Sequence, residues 1–322
     1  MASFSPSLPS APVASAAVGP APLPHFDAPA PRPCADSGRT AQQGREPAYL
    51  THYRTHGFAV VRGVFRPEEV RKLSHACDRV HAKAKAHGKS FRHQNVFFRL
   101  KEDPALGPVV RFAQWPAYYE QVLDRFRKDP RLLEILRPLL GQDLKQIINQ
   151  INWKRPGASQ VEFGYHQDIH FRRPRAAYRN THSCYIQTAI AVDPHTKANG
   201  AMKLYPGSHR MGALDISRGN RVMDRSASDE DLRRLGLDPS KLVDLVLDPG
   251  DVAFWNLYTI HGSGRNTTDG DRRVYLNGYA RAEDCDRGEW TFRDGKPCDL
   301  GEPVLVHYED LYTRPGPHYV DD

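Results

Sequence analysis

No stretch of this chain approaches the run of about eighteen uninterrupted apolar residues that a membrane-spanning helix needs, so a soluble protein is expected. Cysteine is scarce: the five, Cys34, Cys77, Cys184, Cys285 and Cys298, are odd in number, scattered, and form no C-x-x-C pair. A disulfide framework and a zinc knuckle are therefore not indicated, and reduced thiols in a cytoplasmic setting are expected. Charge of one sign is also modest, at +7 over 322 residues, and the basic residues do not gather in a stripe with interleaved aromatics. That is a weak footprint for nucleic acid, and an anionic small substrate or cosubstrate accounts for the excess equally well. No internal repeat is visible.

What is present divides at about residue 45. Residues 1–45 are dominated by Ala, Pro and Ser and read as a disordered leader. They lack an early basic region, and Pro6, Pro9 and Pro12 interrupt any apolar core of a signal peptide, so export is not expected. Residues 46–322 are expected to form one catalytic domain. A short helix to His56 precedes the apolar run Phe58-Ala-Val-Val-Arg62, and Pro67-Glu-Glu-Val opens a helix expected to reach His87. Residues 116–140 supply two more helices, broken near Asp129-Pro130 and closed by Gly141. Beyond lie short segments rich in Val, Ile, Tyr and Trp, over 144–154, 183–193, 200–205, 242–247, 252–258 and 273–281. A helical block followed by many short strands predicts a mainly β (α+β) fold, a barrel or jelly roll with helices packed outside. Residues 213–241, with Ser228-Asp-Glu-Asp opening a short helix, read as an insertion, either a lid or a plain surface excursion.

The most informative string is Tyr165-His166-Gln167-Asp168-Ile169-His170. On an extended segment His166 and Asp168 project to the same side, so one imidazole and one carboxylate can share a metal. Two histidines and a carboxylate on one face of a metal suit iron(II) that activates oxygen. His261 is the candidate third ligand, because it follows the strand Val252-Ala-Phe-Trp-Asn-Leu-Tyr258 and opens the polar string His261-Gly-Ser-Gly-Arg265. Taken alone, an H-x-D triplet is a weak signal. Eleven residues past His261 comes Arg272, whose guanidinium suits the far carboxylate of a dicarboxylic cosubstrate. Arg273 is adjacent and is expected to face the other way.

Four strings together resemble the phytanoyl-CoA dioxygenase family: Asn152-Trp-Lys-Arg-Pro-Gly157, His166-Gln-Asp-Ile-His170, Asn199-Gly-Ala-Met-Lys-Leu-Tyr-Pro-Gly-Ser-His209 and His261-Gly-Ser-Gly-Arg-Asn-Thr-Thr-Asp-Gly-Asp-Arg272. The likeness runs from about Tyr49 to Glu283. It implies a double-stranded β-helix, the cupin-like jelly roll, with iron(II) held by His166, Asp168 and His261. It also implies 2-oxoglutarate held by Arg272 with help from Ser263, and Gln150 touching the cosubstrate. Alternation on 144–154 places Gln146, Ile148, Gln150, Asn152 and Lys154 on one face, with Ile147, Ile151 and Trp153 opposite. Where relatives carry tryptophan or serine beneath the cosubstrate this chain has Ala189, so Tyr185 and Gln187 are expected to do the lining. Asn95 is the nearest counterpart of an N-terminal residue that reaches the cosubstrate.

The activity so implied is hydroxylation of an aliphatic C-H of a small molecule (an acyl thioester, amino acid derivative or natural-product intermediate), using O2 and releasing succinate and CO2. Ascorbate would serve as reductant in vitro. Asp168 favours hydroxylation over chlorination, since related halogenases lack the carboxylate; desaturation or cyclisation stays open. A zinc hydrolase using the same triad is the alternative, against which Arg272 and Ser263 speak; a silent acid-binding barrel is a third. Neither nucleic acid nor membrane is an expected partner, and oligomeric state is not indicated. Arg172, Arg173, Arg175 and Arg179 read as a solvated loop face or as a grip on an anion at the pocket mouth. The stretch from His81 to His93 reads as an exposed helix face and end, and His170 as a structural neighbour of the metal rather than a ligand.

Overall fold

The computed structural model describes residues 46–159, 162–216, 228–303 and 316–320, together with 24, 27 and 314. The leader expected over 1–45 thus lies, but for two residues, outside the described residues. No helix among the described residues is long and apolar enough to cross a membrane.

Helix α1 (Ala48–His56) stops at Gly57, whose left-handed φ of +84° turns the chain into strand β1 (Phe58–Val61). Helix α2 (Pro67–Ala86) starts with proline in its first turn and Glu69 reaching back to the Arg66 amide at 2.8 Å. Three antiparallel strands follow, β2 (Phe91–His93), β3 (Val96–Asp103) and β4 (Gly107–Gln114), a meander that the sequence pattern did not predict. The His81 to His93 reading needs correction here, because α2 ends at Ala86 and His93 sits on β2. Helices α3 (Gln121–Arg127) and α4 (Pro130–Leu140) break at Asp129, whose carboxylate caps α4 by accepting from the Arg131 amide.

The β-rich half supplies β5 (Leu144–Lys154), β6 (Phe163–His166), β7 (Tyr185–Ala191), β8 (Met202–Leu204), β9 (Val243–Asp244), β10 (Val252–Asn256), β11 (His261–Ser263), β12 (Arg272–Arg281) and β13 (Glu289–Arg293). The larger sheet runs β1, β10, β7, β12, β5, β4, β3, β2; the smaller runs β6, β11, β8, β9. This is the mainly antiparallel jelly roll the strand pattern predicts.

Period-two alternation divides the large sheet into two faces. Ile151 and Trp153 of β5, Ile186 and Ile190 of β7, Phe254 of β10 and Tyr275 of β12 point outward and bury against Leu73 and Val80 of α2 and Leu132 and Leu136 of α4. Ala189, Ala191, Ala253, Trp255 and Val274 point inward, toward Leu204 of the smaller sheet. One parity changes. The register between β5 and β12 shifts where Gly278 faces Ile148 and Tyr279 faces Gln146. That bulge turns Gln146 to the helix side, where it bonds Asn277 at 2.7 Å, and sends Ile147 to pack with Ile169 and Tyr185. The sequence reading of an unbroken polar face from Gln146 to Lys154 is therefore correct only from Ile148 onward.

The insertion over 213–241 falls partly outside the described residues, at 217–227. Its described parts are 213–216 and 228–241; Ser228 caps helix α5 (Asp229–Arg234), and Leu232 and Leu237 are buried against Tyr205 and Ile260. None of its described residues lines the central cavity.

Candidate metal centre and cosubstrate pocket

Strand β6 ends at His166 and the chain then tightens into a single helical turn over Asp168–Phe171. His166 and Asp168 thus converge from a strand end and a turn rather than along one extended segment, a correction to the sequence reading. The turn is held by the Ile169 amide, which donates to the Leu257 carbonyl at 3.1 Å. It also carries His170 away, where its Nε2 meets the Leu214 carbonyl at 2.9 Å. His261 opens β11 directly opposite His166 in the smaller sheet.

The ligand-type atoms of His166, Asp168 and His261 lie within 4.8 Å of one another. Asp168 Oδ1 stands 3.8 Å from His166 Nε2 and 3.7 Å from His261 Nε2. Each imidazole is oriented from behind: His166 Nδ1 donates to the Gly164 carbonyl at 2.7 Å and His261 Nδ1 to the Thr259 carbonyl at 2.9 Å. With the proton on Nδ1, each Nε2 presents a lone pair to the centre. The Trp255 indole donates to Asp168 Oδ2 at 2.9 Å, leaving Oδ1 to face the histidines. Burial, with His261 close by, pushes the His166 pKa down to about 4. Burial alone would raise the Asp168 carboxyl, but His261, Arg172, His166 and the indole together hold it below its usual range. Both residues are thereby in ligand form at neutral pH.

These groups open on a cavity of about 300 Å³ between the two sheets. Gln150 and Asn152 of β5, Arg272 of β12 and Ser263 of β11 all line it, and Gln150 Nε2 donates to Asn152 Oδ1 at 2.6 Å. Arg272 is buried, its Nε has no hydrogen-bond partner, and burial lowers its pKa to about 10. Arg273 lies on the other face, bonded through Nη2 and Nε to Asp193 at 2.7 and 2.8 Å and through Nη1 to Asp78 of α2 at 2.7 Å. Lys154, opposite Arg272 in the register, donates Nζ to the carbonyls of Ser263 and Gly264.

Gln187 and Ala189 line the cavity, whereas Tyr185 does not; its hydroxyl donates to Gln187 Oε1 at 2.7 Å and orients that amide instead. Asn95 is buried away from the cavity beside Tyr118, so its expected contact with the cosubstrate is corrected. Arg92, Arg99, Arg111 and Gln114 of the meander reach the cavity in its place. Of the four arginines after the metal string, only Arg172 lines it; Arg173 and Arg175 are exposed, and Arg179 pairs with Asp286 at 2.9 Å. His195, which the sequence reading missed, also lines the cavity, and its Nδ1 has no partner. It follows Asp193-Pro194 as an isolated bridge residue paired with Leu247, where no periodicity marks it.

A family model described as phytanoyl-CoA dioxygenase (PhyH) matches residues 53–274. The chain belongs to that family. Proteins that it resembles include a probable alpha-ketoglutarate-dependent hypophosphite dioxygenase of Stutzerimonas stutzeri, 28% identical over 76% of this chain and 79% of that protein. A 2-aminoethylphosphonate dioxygenase from an uncultured bacterium is 22% identical over 76% and 85% of the two chains. A methylphosphonate hydroxylase of Gimesia maris is 32% identical, but over 45% of this chain and 49% of that one. Among solved structures, EctD from S. alaskensis with 2-oxoglutarate and 5-hydroxyectoine superposes with a TM-score of 0.59 at 21% identity, covering 86% of this chain and 92% of that one. That likeness shows the shared fold. Iron and 2-oxoglutarate are the cofactors of the family, and the donor set here fits them: two imidazoles, one carboxylate, and a buried guanidinium with an unpartnered Nε for a dicarboxylate.

Proposed function

We propose that this protein hydroxylates an aliphatic C-H of a small anionic molecule, with iron(II) held by His166, Asp168 and His261 and the distal carboxylate of 2-oxoglutarate held by Arg272. The observation that carries this reading is the convergence of those three ligands on a cavity that also contains a buried arginine. When bound, iron and 2-oxoglutarate activate dioxygen, with release of succinate and CO2, for insertion of one oxygen atom into the substrate.

The chain's own work is placement. Trp255 fixes the carboxylate rotamer, and the Gly164 and Thr259 carbonyls fix the imidazoles, so the metal meets a preset triad. Arg272 would hold the cosubstrate carboxylate through its guanidinium, and Ser263 and Gln150 would add polar contacts from neighbouring strands. Phe163, Phe171, Val274 and Leu276 line the same cavity and exclude water from the reacting groups. With iron bound, Asp168 would serve as the carboxylate ligand and leave no place for a halide, which favours hydroxyl transfer. An anionic substrate is supported by the arginines in the lining and by relatives named for hypophosphite and phosphonates.

The test is oxygen uptake and succinate release with iron(II), ascorbate and 2-oxoglutarate, combined with a screen of metabolite pools for a mass gain of one oxygen. Asp168→Ala is expected to abolish both iron retention and turnover. Near-normal iron content and activity in that variant would remove Asp168 from the ligand set, and zinc-stimulated hydrolysis without oxygen uptake would replace the reading altogether.

A further inference from the structure

Beside the arginine assigned to the cosubstrate stands a buried imidazole that lies outside the metal triad. His195 is 2% exposed and lines the cavity together with Arg272. Its backbone is fixed, exchanging hydrogen bonds of 2.8 and 3.2 Å with Leu247. Its Nε2 stands 3.3 Å from the Arg273 carbonyl, and because a carbonyl only accepts, that nitrogen carries the proton of the bond. Burial, then the charge of Arg272, hold the ring neutral, well below the ordinary histidine pKa; the Arg273 carbonyl opposes this and Lys154 adds to it. A neutral ring protonated at Nε2 presents a lone pair at Nδ1, and that atom is buried with no hydrogen-bond partner among the described residues. A buried acceptor left without a donor is costly, so the position calls for one.

Arg272 has donors to match. A guanidinium carries five N–H groups, and a carboxylate held by two parallel bonds uses two of them. The rest need acceptors, in a site where Arg272 is itself buried and its Nε unpartnered. Asp193, the acid whose charge acts on Arg272, is engaged by the next residue: its Oδ2 accepts from the amide and Nε of Arg273, and its Oδ1 from Nη2. The side-chain oxygens of Gln150 and Asn152 already accept, from Gln114 at 3.1 Å and from Gln150 at 2.6 Å. Among the described residues of the lining, His195 Nδ1 is the one buried side-chain acceptor without a partner. Facing a carboxylate directly, its lone pair would be repelled. Facing the guanidinium that grips the carboxylate, it joins a chain of hydrogen bonds in which each polarises the next.

We propose that His195 is the positioning residue of the cosubstrate anchor: its Nδ1 accepts a hydrogen bond from the Arg272 guanidinium as that group engages the distal carboxylate, and so fixes the plane of the fork. This rests on the proposed function, and the experiment separates the two. The full chain is titrated calorimetrically with glutarate in the absence of iron and, loaded anaerobically with iron(II), with 2-oxoglutarate. His195→Leu removes both ring nitrogens, whereas His195→Asn gives up the bond to the Arg273 carbonyl but returns an acceptor oxygen near the place of Nδ1. His195→Leu is expected to weaken both acids about tenfold, and His195→Asn by less than about threefold. A purely structural residue would give equal losses, since both variants lose the Nε2 bond. In the parent, nitrogen-labelled in its histidines, the Nδ1 resonance that His195→Asn deletes is expected to move to lower frequency on saturation with glutarate, as a lone pair gaining a donor does, while staying clear of the imidazolium position. Should His195→Leu fail to fold, this resonance carries the test. Equal losses in the two variants, no loss in His195→Leu, or a resonance that stays still or reaches the imidazolium position would each overturn the positioning role with the hydroxylase reading intact. Failure of the parent to bind 2-oxoglutarate would sink the proposed function, and the positioning role with it.

Discussion

Arg272 and Arg273 are sequence neighbours on opposite faces of β12, one in the cavity and the other paired with Asp193 and Asp78. Removing one partner of a buried charge pair costs about 2 kcal/mol or more. Arg272→Ala is accordingly expected to weaken 2-oxoglutarate binding by about thirtyfold or more, whereas Arg273→Ala changes it by less than about threefold and instead lowers the melting temperature. Calorimetric titration of both variants checks this, and equal effects would refute the assignment. Lys154 adds a pH dependence. Burial, then the nearby Arg272, depress its pKa to about 6, so the amine is mostly neutral at neutral pH. In the ligand-free protein this depression makes folding stability decline as pH falls from about 10 toward 6 and level off below. A dicarboxylate bound beside Arg272 favours the ammonium form, so binding takes up a proton and tightens as pH falls from about 8 to 6. Titration in buffers of differing ionisation enthalpy reads the uptake directly; Lys154→Met should abolish it, and uptake unchanged in that variant would assign it elsewhere.

At the scale of elements, β5, β7, β10 and β12 were legible because they are rich in large apolar residues and their ends are marked by glycine or aspartate turns. The meander from β2 to β4 was not, and the cause is the arginines it carries into the cavity lining. Arg92, Arg99 and Arg111 place charge on what is physically an inward face, so the apolar alternation that announces a strand is cancelled where the cavity is polar. The bulge in β5 was equally invisible, since it depends on Gly278 of a strand more than a hundred residues away. The metal ligands were legible as a pattern of residue types, but the turn that brings Asp168 to His166 is set by Leu257, a tertiary contact. Gly200 shows how an element can hold the site without touching it. Its φ is +72°, and a Cβ there would come within 2.6 Å of the Arg265 carbonyl oxygen and closer still to that of Gly264, just past Ser263. Gly200→Ala is expected to cost about 1–3 kcal/mol and to weaken 2-oxoglutarate binding by displacing that segment. Thermal unfolding and titration check the two effects; an unchanged affinity would show that Ser263 is held from elsewhere.

For the whole molecule, the two sheets meet across a cavity whose described lining holds more arginines than carboxylates. Anything that binds the folded state alone stabilises it by mass action, about 2.7 kcal/mol at a ligand concentration one hundred times Kd. For a chain of this size that is a rise of about 4 °C in melting temperature, at about 1.5 °C per kcal/mol. With iron(II) under anaerobic conditions, 2-oxoglutarate is expected to produce a shift in this range. Glutarate, which keeps the distal carboxylate but lacks the keto group that would reach the metal, should give a smaller shift that does not depend on iron. The contrast separates the two halves of the site: His261→Ala should reduce the 2-oxoglutarate shift to the glutarate level, and Arg272→Ala should remove the glutarate shift entirely. A glutarate shift that survives Arg272→Ala would place the carboxylate on other cations of the cavity, with the meander arginines the first to be tested.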